Sequence, residues 1–230
     1  MKIGGFQKTS LLDYPNQISA IVWASGCSFR CPFCYNKSLA LGTTELFPEE
    51  EILSFLLKRK GQLDGVVISG GEPLLQEDIV GFIEKIKNHG FLVKIDTNGS
   101  CPERLAELLD KTLVDYVAMD VKAPKNKYRE LAGVDVDITK IEESINLIKS
   151  KAPAYEFKTT FVPDLLKKED IVEIAKWLNG VEQYYLQQFK PLSPLVSSTL
   201  ENTIPYTKNY FIETFNEIQP FFKHCSIRGI

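Results

Sequence analysis

Histidine, methionine and tryptophan are scarce, with two of each among 230 residues. With only His89 and His224 available, imidazole can contribute little to a metal site. Charge of one sign is also missing. Lysine and arginine number 27 against 30 acids, and the net charge of −3 gives no reason to expect nucleic acid as a partner. No run reaches the roughly 18 apolar residues that a membrane-spanning helix needs. The opening stretch, MKIGGFQKTSLLDYPNQ, holds neither an apolar h-region nor a small-residue cleavage site. No signal peptide is expected, which places the chain in the cytoplasm. Thiols stay reduced there. An odd count of five cysteines also argues against a disulfide framework.

What is present is a regular alternation. Strand patterns at 18–24, 65–69, 91–97, 114–121, 155–162 and 183–189 alternate with helix patterns at 48–60, 77–90, 102–110, 140–150 and 167–180. After a polar, proline-containing loop at 190–205, a last helix covers 206–222. The helix at 77–90 is typical: apolar residues recur at 79, 82, 83 and 86, and Gly90 offers a stop. Six βα repeats imply an α/β fold of parallel strands joined by helical crossovers. Neither a low-complexity stretch nor a break in composition marks a linker. One domain is expected, with its core at about 18–190 and a C-terminal segment at 191–230. A barrel and an open doubly wound sheet look alike at this level, and in both the functional groups gather at the carboxyl ends of strands.

The unusual polar segments all follow strands. GCSFRCPFCYN (26–36) sets Cys27, Cys31 and Cys34 after the first, and SGGEP (69–73) follows the second. DTNG (96–99) follows the third, MDVK (119–122) the fourth, and QQF (187–189) closes the sixth. Three thiolates in one short loop can converge on one inorganic centre. Structural zinc wants four protein ligands, which the His224–Cys225 pair would have to complete. An iron–sulfur cluster also takes thiolates, and with three supplied one iron keeps an open position. Spacing alone leaves both open. Gly70 and Gly71 permit close backbone approach by a ligand, or simply make a strand-to-helix turn. A phosphate loop is disfavoured because no Lys-Ser/Thr follows them. Asn98-Gly99 is equally a turn signal. Asp120 and Lys122, two apart on a strand, point to one face, either as an ion pair or toward a ligand. Cys101 and Cys225 read as isolated small hydrophobes.

The pattern Cys27-x3-Cys31-x-Phe33-Cys34 after a first strand, with Gly70-Gly71-Glu72-Pro73 after a second, resembles the radical S-adenosylmethionine (SAM) enzymes over about residues 1–190. The resemblance implies a partial TIM-type (β/α)6 barrel. It implies a 4Fe–4S cluster on Cys27, Cys31 and Cys34, which are thereby the metal-ligating and catalytic residues, with SAM chelated at the unique iron. Reductive cleavage of SAM then releases methionine and a 5′-deoxyadenosyl radical. SAM would lie against Phe33, Tyr35, Gly70, Gly71, Glu72, Pro73, Asp96 and Thr97. Lys122 would meet its carboxylate, Asp120 would help hold a monovalent cation, Lys158 would face SAM or substrate, and Gln188 and Phe189 would sit beside adenine.

The stretches GGFQKTSLLDYP, DYVAMDVKAP and YYLQQFKP resemble a narrower group, the activases of glycyl radical enzymes and especially those of anaerobic ribonucleoside-triphosphate reductase. That implies hydrogen abstraction from a glycine Cα of a partner enzyme, and a low-potential electron donor such as flavodoxin or ferredoxin. Two positions depart from the group. Asn16 stands where glycine is usual, and Tyr35 where activases often have histidine. The cysteine sets of auxiliary clusters are absent, so one cluster is expected. The competing readings are a radical SAM enzyme on a small molecule, similar to 7-carboxy-7-deazaguanine synthase, and a non-catalytic zinc-binding module.

Overall fold

All six expected strands form in the computed structural model, which describes residues 1–192 and 194–230. Position 193 of the expected loop lies outside the described residues. Among the described residues the strands are β1 (Ile3–Ser10), β2 (Ser19–Ala24), β3 (Gly65–Gly70), β4 (Leu92–Thr97), β5 (Tyr116–Asp120), β6 (Tyr155–Phe161), β7 (Gln183–Gln188) and β8 (His224–Arg228). The helices are α1 (Lys37–Leu41), α2 (Glu49–Lys58), α3 (Ile79–Asn88), α4 (Pro102–Asp110), α5 (Tyr128–Ala132), α6 (Ile138–Lys151), α7 (Lys168–Trp177) and α8 (Lys208–Ile218). The α/β class with parallel strands is observed. Two strands were not expected: β1, which carries the paired glycines Gly4 and Gly5, and β8, a short mixed stretch at the C-terminus. The short helices α1 and α5 were also not expected.

The described residues divide into two compact units, each built from separate stretches of chain. The first comprises Met1–Ser28, Ser38–Ala118 and Lys140–Ala154. In it the strand order is β1-β2-β3-β4, with β1 antiparallel to β2 and the rest parallel. The strand β2 is buried on both faces at Ala20, Ile21, Val22 and Ala24, which explains its continuous apolar run. One face packs Ile21 and Val67 with Tyr14, Tyr116 and Ala118. On the other side of the chain alternation, α3 buries Ile79, Phe82, Ile83 and Ile86, each worth about 1.5–3 kcal/mol of transfer free energy. Asn16, in the β1–β2 loop, has φ +61°, a left-handed conformation that asparagine tolerates better than most residues.

The second unit comprises Phe29–Lys37, Met119–Thr139 and Tyr155–Ile230. Its strands run β6-β7-β8, all parallel. Pairing of Phe157 with Tyr184 and of Tyr184 with Cys225 sets one apolar row, while Lys158, Tyr185 and Ser226 share the opposite face. Phe161 packs among Tyr206, Tyr210 and Phe211 of the C-terminal region. Among the described residues no helix is long and apolar enough to cross a membrane.

Candidate active site

In the first unit, parallel register brings three strand ends to one edge. Ala24 of β2 lies beside Gly70 of β3, and Ile68 of β3 beside Ile95 of β4. The loops bearing Cys27, Gly71–Pro73 and Asp96–Asn98 leave from that edge. Gly71 N donates to Ala24 O at 2.9 Å and Glu72 N to Gly26 O at 2.8 Å. A Cβ on Gly70 would meet Ala24 O at 2.5 Å, and one on Gly71 would meet Gly26 O at 2.0 Å. The two glycines are therefore required by backbone lying on backbone beside Cys27.

Glu72 is fully buried. Its Oε1 accepts from Leu74 N at 3.1 Å and from the Thr97 hydroxyl at 2.8 Å, and its Oε2 accepts from Asn98 N at 2.7 Å. The carboxylate clips the 69–73 loop to the 96–99 loop. Pro73 is buried at the start of a 3-10 turn, where its missing N–H costs nothing. Thr97 also accepts from Gly99 N at 3.0 Å. Asp96 accepts from Ser69 Oγ at 2.9 Å and pairs with Lys94. Lys94 is nearly buried and lies on the same strand face, two residues before Asp96. Asn98 places Nδ2 3.7 Å from Cys27 Sγ. Neither Lys94 nor Asn98 was singled out as a site residue. The signal for Lys94 is a lysine inside an apolar strand, while Asn98 stands in the sequence as half of an Asn-Gly turn.

In the second unit the remaining cysteines sit in a tight turn, with Cys34 N donating to Cys31 O at 3.0 Å. Arg30 N donates to Ala132 O at 2.7 Å, Val196 N to Cys34 O at 3.0 Å and Ser197 N to Pro32 O at 2.9 Å. The loop is thus tied at both ends by backbone. Cys31 and Phe33 are buried, and Cys34 is partly exposed. Asp120 pairs with Lys122 at 3.2 Å and with Lys158 at 3.5 Å. Lys122 Nζ lies 5.9 Å from the centre of the Phe33 ring. Burial opposes its ammonium charge, but Asp120, then Cys31 and Cys34, outweigh burial and push its pKa up. The phenol of Tyr35 is pushed up by burial of its oxygen and by Asp120, against the opposing pull of Lys122 and Lys158.

The expected adenine-side pair, Gln188 and Phe189, lies at the end of β7 and just beyond it. Phe189 is wholly buried and its ring belongs to the core. Gln188 donates to Tyr206 O at 2.7 Å, while its buried Oε1 has no hydrogen-bond partner. None of the five cysteines is joined in a disulfide. Among the described residues no group of three or more His, Cys, Asp or Glu side chains is gathered closely enough to hold a metal ion. Burial pushes the Cys225 thiol up to about 12, and burial also raises Cys101.

The family pattern described as Radical SAM superfamily matches residues 21–179. A protein of Methanocaldococcus jannaschii, MJ1227, provisionally named a glycyl-radical enzyme activating enzyme, is 41% identical over 197 residues, 82% of this chain and 80% of its own. The pyruvate formate-lyase-activating enzyme of Listeria monocytogenes is 34% identical over 132 residues, 53% of each chain. Streptococcus suis SuiB, in a crystal structure bound to the precursor peptide SuiA, superposes with a TM-score of 0.66 at 16% identity, covering 91% of this chain and 48% of SuiB. The chain thus spans about half of SuiB, and this likeness is one of fold.

Proposed function

The chain belongs to the radical SAM superfamily, an enzyme family built on a 4Fe–4S cluster and SAM, and on that premise we propose that it activates a glycyl radical enzyme. The single observation that carries this reading is the 41% identity to the M. jannaschii activating enzyme over four fifths of both chains. The substrate is then a glycine in a protein loop. The electron would come from a low-potential carrier of the flavodoxin or ferredoxin kind.

The residues fit the cluster by donor chemistry. Cys27, Cys31 and Cys34 are three cysteines outside any disulfide and within eight residues of chain, soft donors suited to iron–sulfur ligation. An amide N–H of Asn98 points at one of these sulfurs, and the Lys122 ammonium is favoured by two others. When bound, cluster and SAM supply a 5′-deoxyadenosyl radical that abstracts hydrogen. The chain's own residues bind and orient. Lys122, fixed by Asp120 and lying over Phe33, presents a permanent cation for the SAM carboxylate. Lys158, on the same carboxylate, extends that positive surface. Gly71 and Glu72 tie the Cys27 strand end through their backbone N–H groups, to Ala24 O and Gly26 O. The unpartnered Gln188 Oε1 is an acceptor suited to an adenine amine.

The test is anaerobic. Chain, SAM and a reductant are mixed with a candidate glycyl radical enzyme, and a glycyl-radical electron paramagnetic resonance doublet is sought. Radical formation that depends on each of Cys27, Cys31 and Cys34 supports the reading. SAM cleavage without any protein radical, across candidate partners, turns it toward a small-molecule substrate.

A further inference from the structure

We infer that Asn98 is a positioning residue for Cys27, whose amide hydrogen bond raises the reduction potential of a cluster carried on that sulfur; the inference rests on the ligand reading above. The Asn98 side chain has only one way to sit. Its Oδ1 accepts from Ser100 N at 2.9 Å, which commits the amide oxygen. Both hydrogens of Nδ2 are therefore directed the other way, to Cys27 Sγ at 3.7 Å and to Ser28 Oγ at 3.1 Å. The longer distance is ordinary for sulfur, whose radius exceeds that of oxygen. A Ser28–Ser100 hydroxyl contact at 2.8 Å closes the ring.

The backbone of Asn98 is fixed as well. Its N–H donates to Oε2 of the buried Glu72 at 2.7 Å, so the residue cannot swing away from the strand end that carries Cys27. Ser144 Oγ donates to Gly99 O at 2.8 Å and holds the turn from the other side. An N–H aimed at a thiolate sulfur stabilises the form with more negative charge. Hydrogen bonds to the sulfurs are one of the recognised means by which a protein sets cluster potential. Reduction adds an electron, so the bond favours the reduced cluster. A higher potential lets an electron carrier load the cluster more readily and lowers the driving force toward the sulfonium, so the bond sets the balance between the two.

The full chain is reconstituted anaerobically with iron and sulfide as wild type, Asn98→Ala and Asn98→Asp, and iron per chain is counted. Each protein is then taken through a redox titration followed by electron paramagnetic resonance. The alanine variant should hold the wild-type amount of iron. Its reduced-to-oxidised ratio at a fixed potential should fall by up to about tenfold, which is about 59 mV more negative for a one-electron couple. The aspartate variant keeps the shape and the acceptor for Ser100 N, but puts an acceptor against sulfur, so its potential should fall further. If alanine costs the fold, the aspartate variant alone decides. Potentials equal to wild type in both variants overturn the inference while leaving the cluster reading intact. A wild-type chain that takes up no iron overturns the cluster reading itself.

Discussion

Glu72→Gln isolates the carboxylate of the Gly-Gly-Glu-Pro motif from its shape. Both of its oxygens work in the structure: Oε1 takes Leu74 N–H and the Thr97 hydroxyl, Oε2 takes Asn98 N–H. Glutamine must place an NH2 where one of them stood. Set at Oε2, it faces the Asn98 N–H, donor against donor. Set at Oε1, it faces two donors, of which the Thr97 hydroxyl alone can rotate. The first is cheaper, and removes one hydrogen bond to a charged group, about 1.5–3 kcal/mol. The two that remain weaken as the acceptor loses its charge. A total near 3 kcal/mol follows, and for a domain of this size about 2–4 °C of Tm per kcal/mol gives a drop of roughly 6–12 °C. Thermal unfolding by circular dichroism reads it. Hydrogen exchange at the Asn98 amide should quicken about a hundredfold, since about 1.4 kcal/mol is a factor of ten. A Tm within about 1 °C of wild type, with unchanged exchange at Asn98, refutes the clip.

Gly71→Ala sets a methyl 2.0 Å from Gly26 O, so the Cys27 strand end must shift. We expect at least 1–3 kcal/mol of lost stability and reduced anaerobic iron uptake, and normal values of both would show the close approach to be dispensable. Arg228→Ala leaves Glu156, 1% exposed, without its bidentate partner at 2.7 and 2.9 Å. Chemical denaturation should show a loss of about 3–5 kcal/mol, whereas Arg228→Met with Glu156→Leu should recover most of it. The Cys225 thiol is raised by burial to about 12, so its neutral form is favoured in the folded chain. Its contribution is complete below the unfolded value of about 8.5 and declines as pH rises through the window to about 12. Cys225→Ser should therefore flatten the fall of stability between about pH 9 and 11 by about 1 kcal/mol per pH unit, and an unaltered slope would contradict the assigned cause.

The strands β2 and β3 were legible as apolar runs too short for a helix, and β6 and β7 as short stretches rich in aromatic and β-branched residues. What periodicity cannot show is a strand whose burial is incomplete. The strand β8, HCSIR, is half-exposed, and β1 carries Gly4 and Gly5, so neither has an alternation to read. Gly5 is demanded by contact: a Cβ there would meet the Trp23 ring at 2.8 Å. That demand comes from a residue eighteen positions away. The shared face of Asp120 and Lys122 was legible from the two-residue spacing, which left an ion pair and a ligand contact both open, but Lys158 on the same carboxylate was not, because it comes from a different strand.

Glycines and polar side chains at strand ends attract a ligand-binding interpretation, and here that interpretation conceals a prior need. A loop beyond the end of a strand has no ladder to hold it. If its position matters, neighbouring loops must supply the bonds. The Cys27 segment meets that need with Gly70 and Gly71 pressed against its backbone, Gln76 Nε2 on Ser25 O at 2.9 Å, and Asn98 on its sulfur. Glu72 in turn fixes Asn98. The motif's carboxylate therefore acts on the cysteine at one remove, through a backbone amide and a side-chain amide. Substituting Glu72 should disturb the sulfur environment even where no ligand touches the residue, and the disturbance should follow the placement of Asn98 rather than the loss of charge. Comparing Glu72→Gln with Asn98→Ala by the potential of the reconstituted cluster separates the two: a shared direction of shift is expected, and an opposite one would mean that Glu72 acts on the site directly.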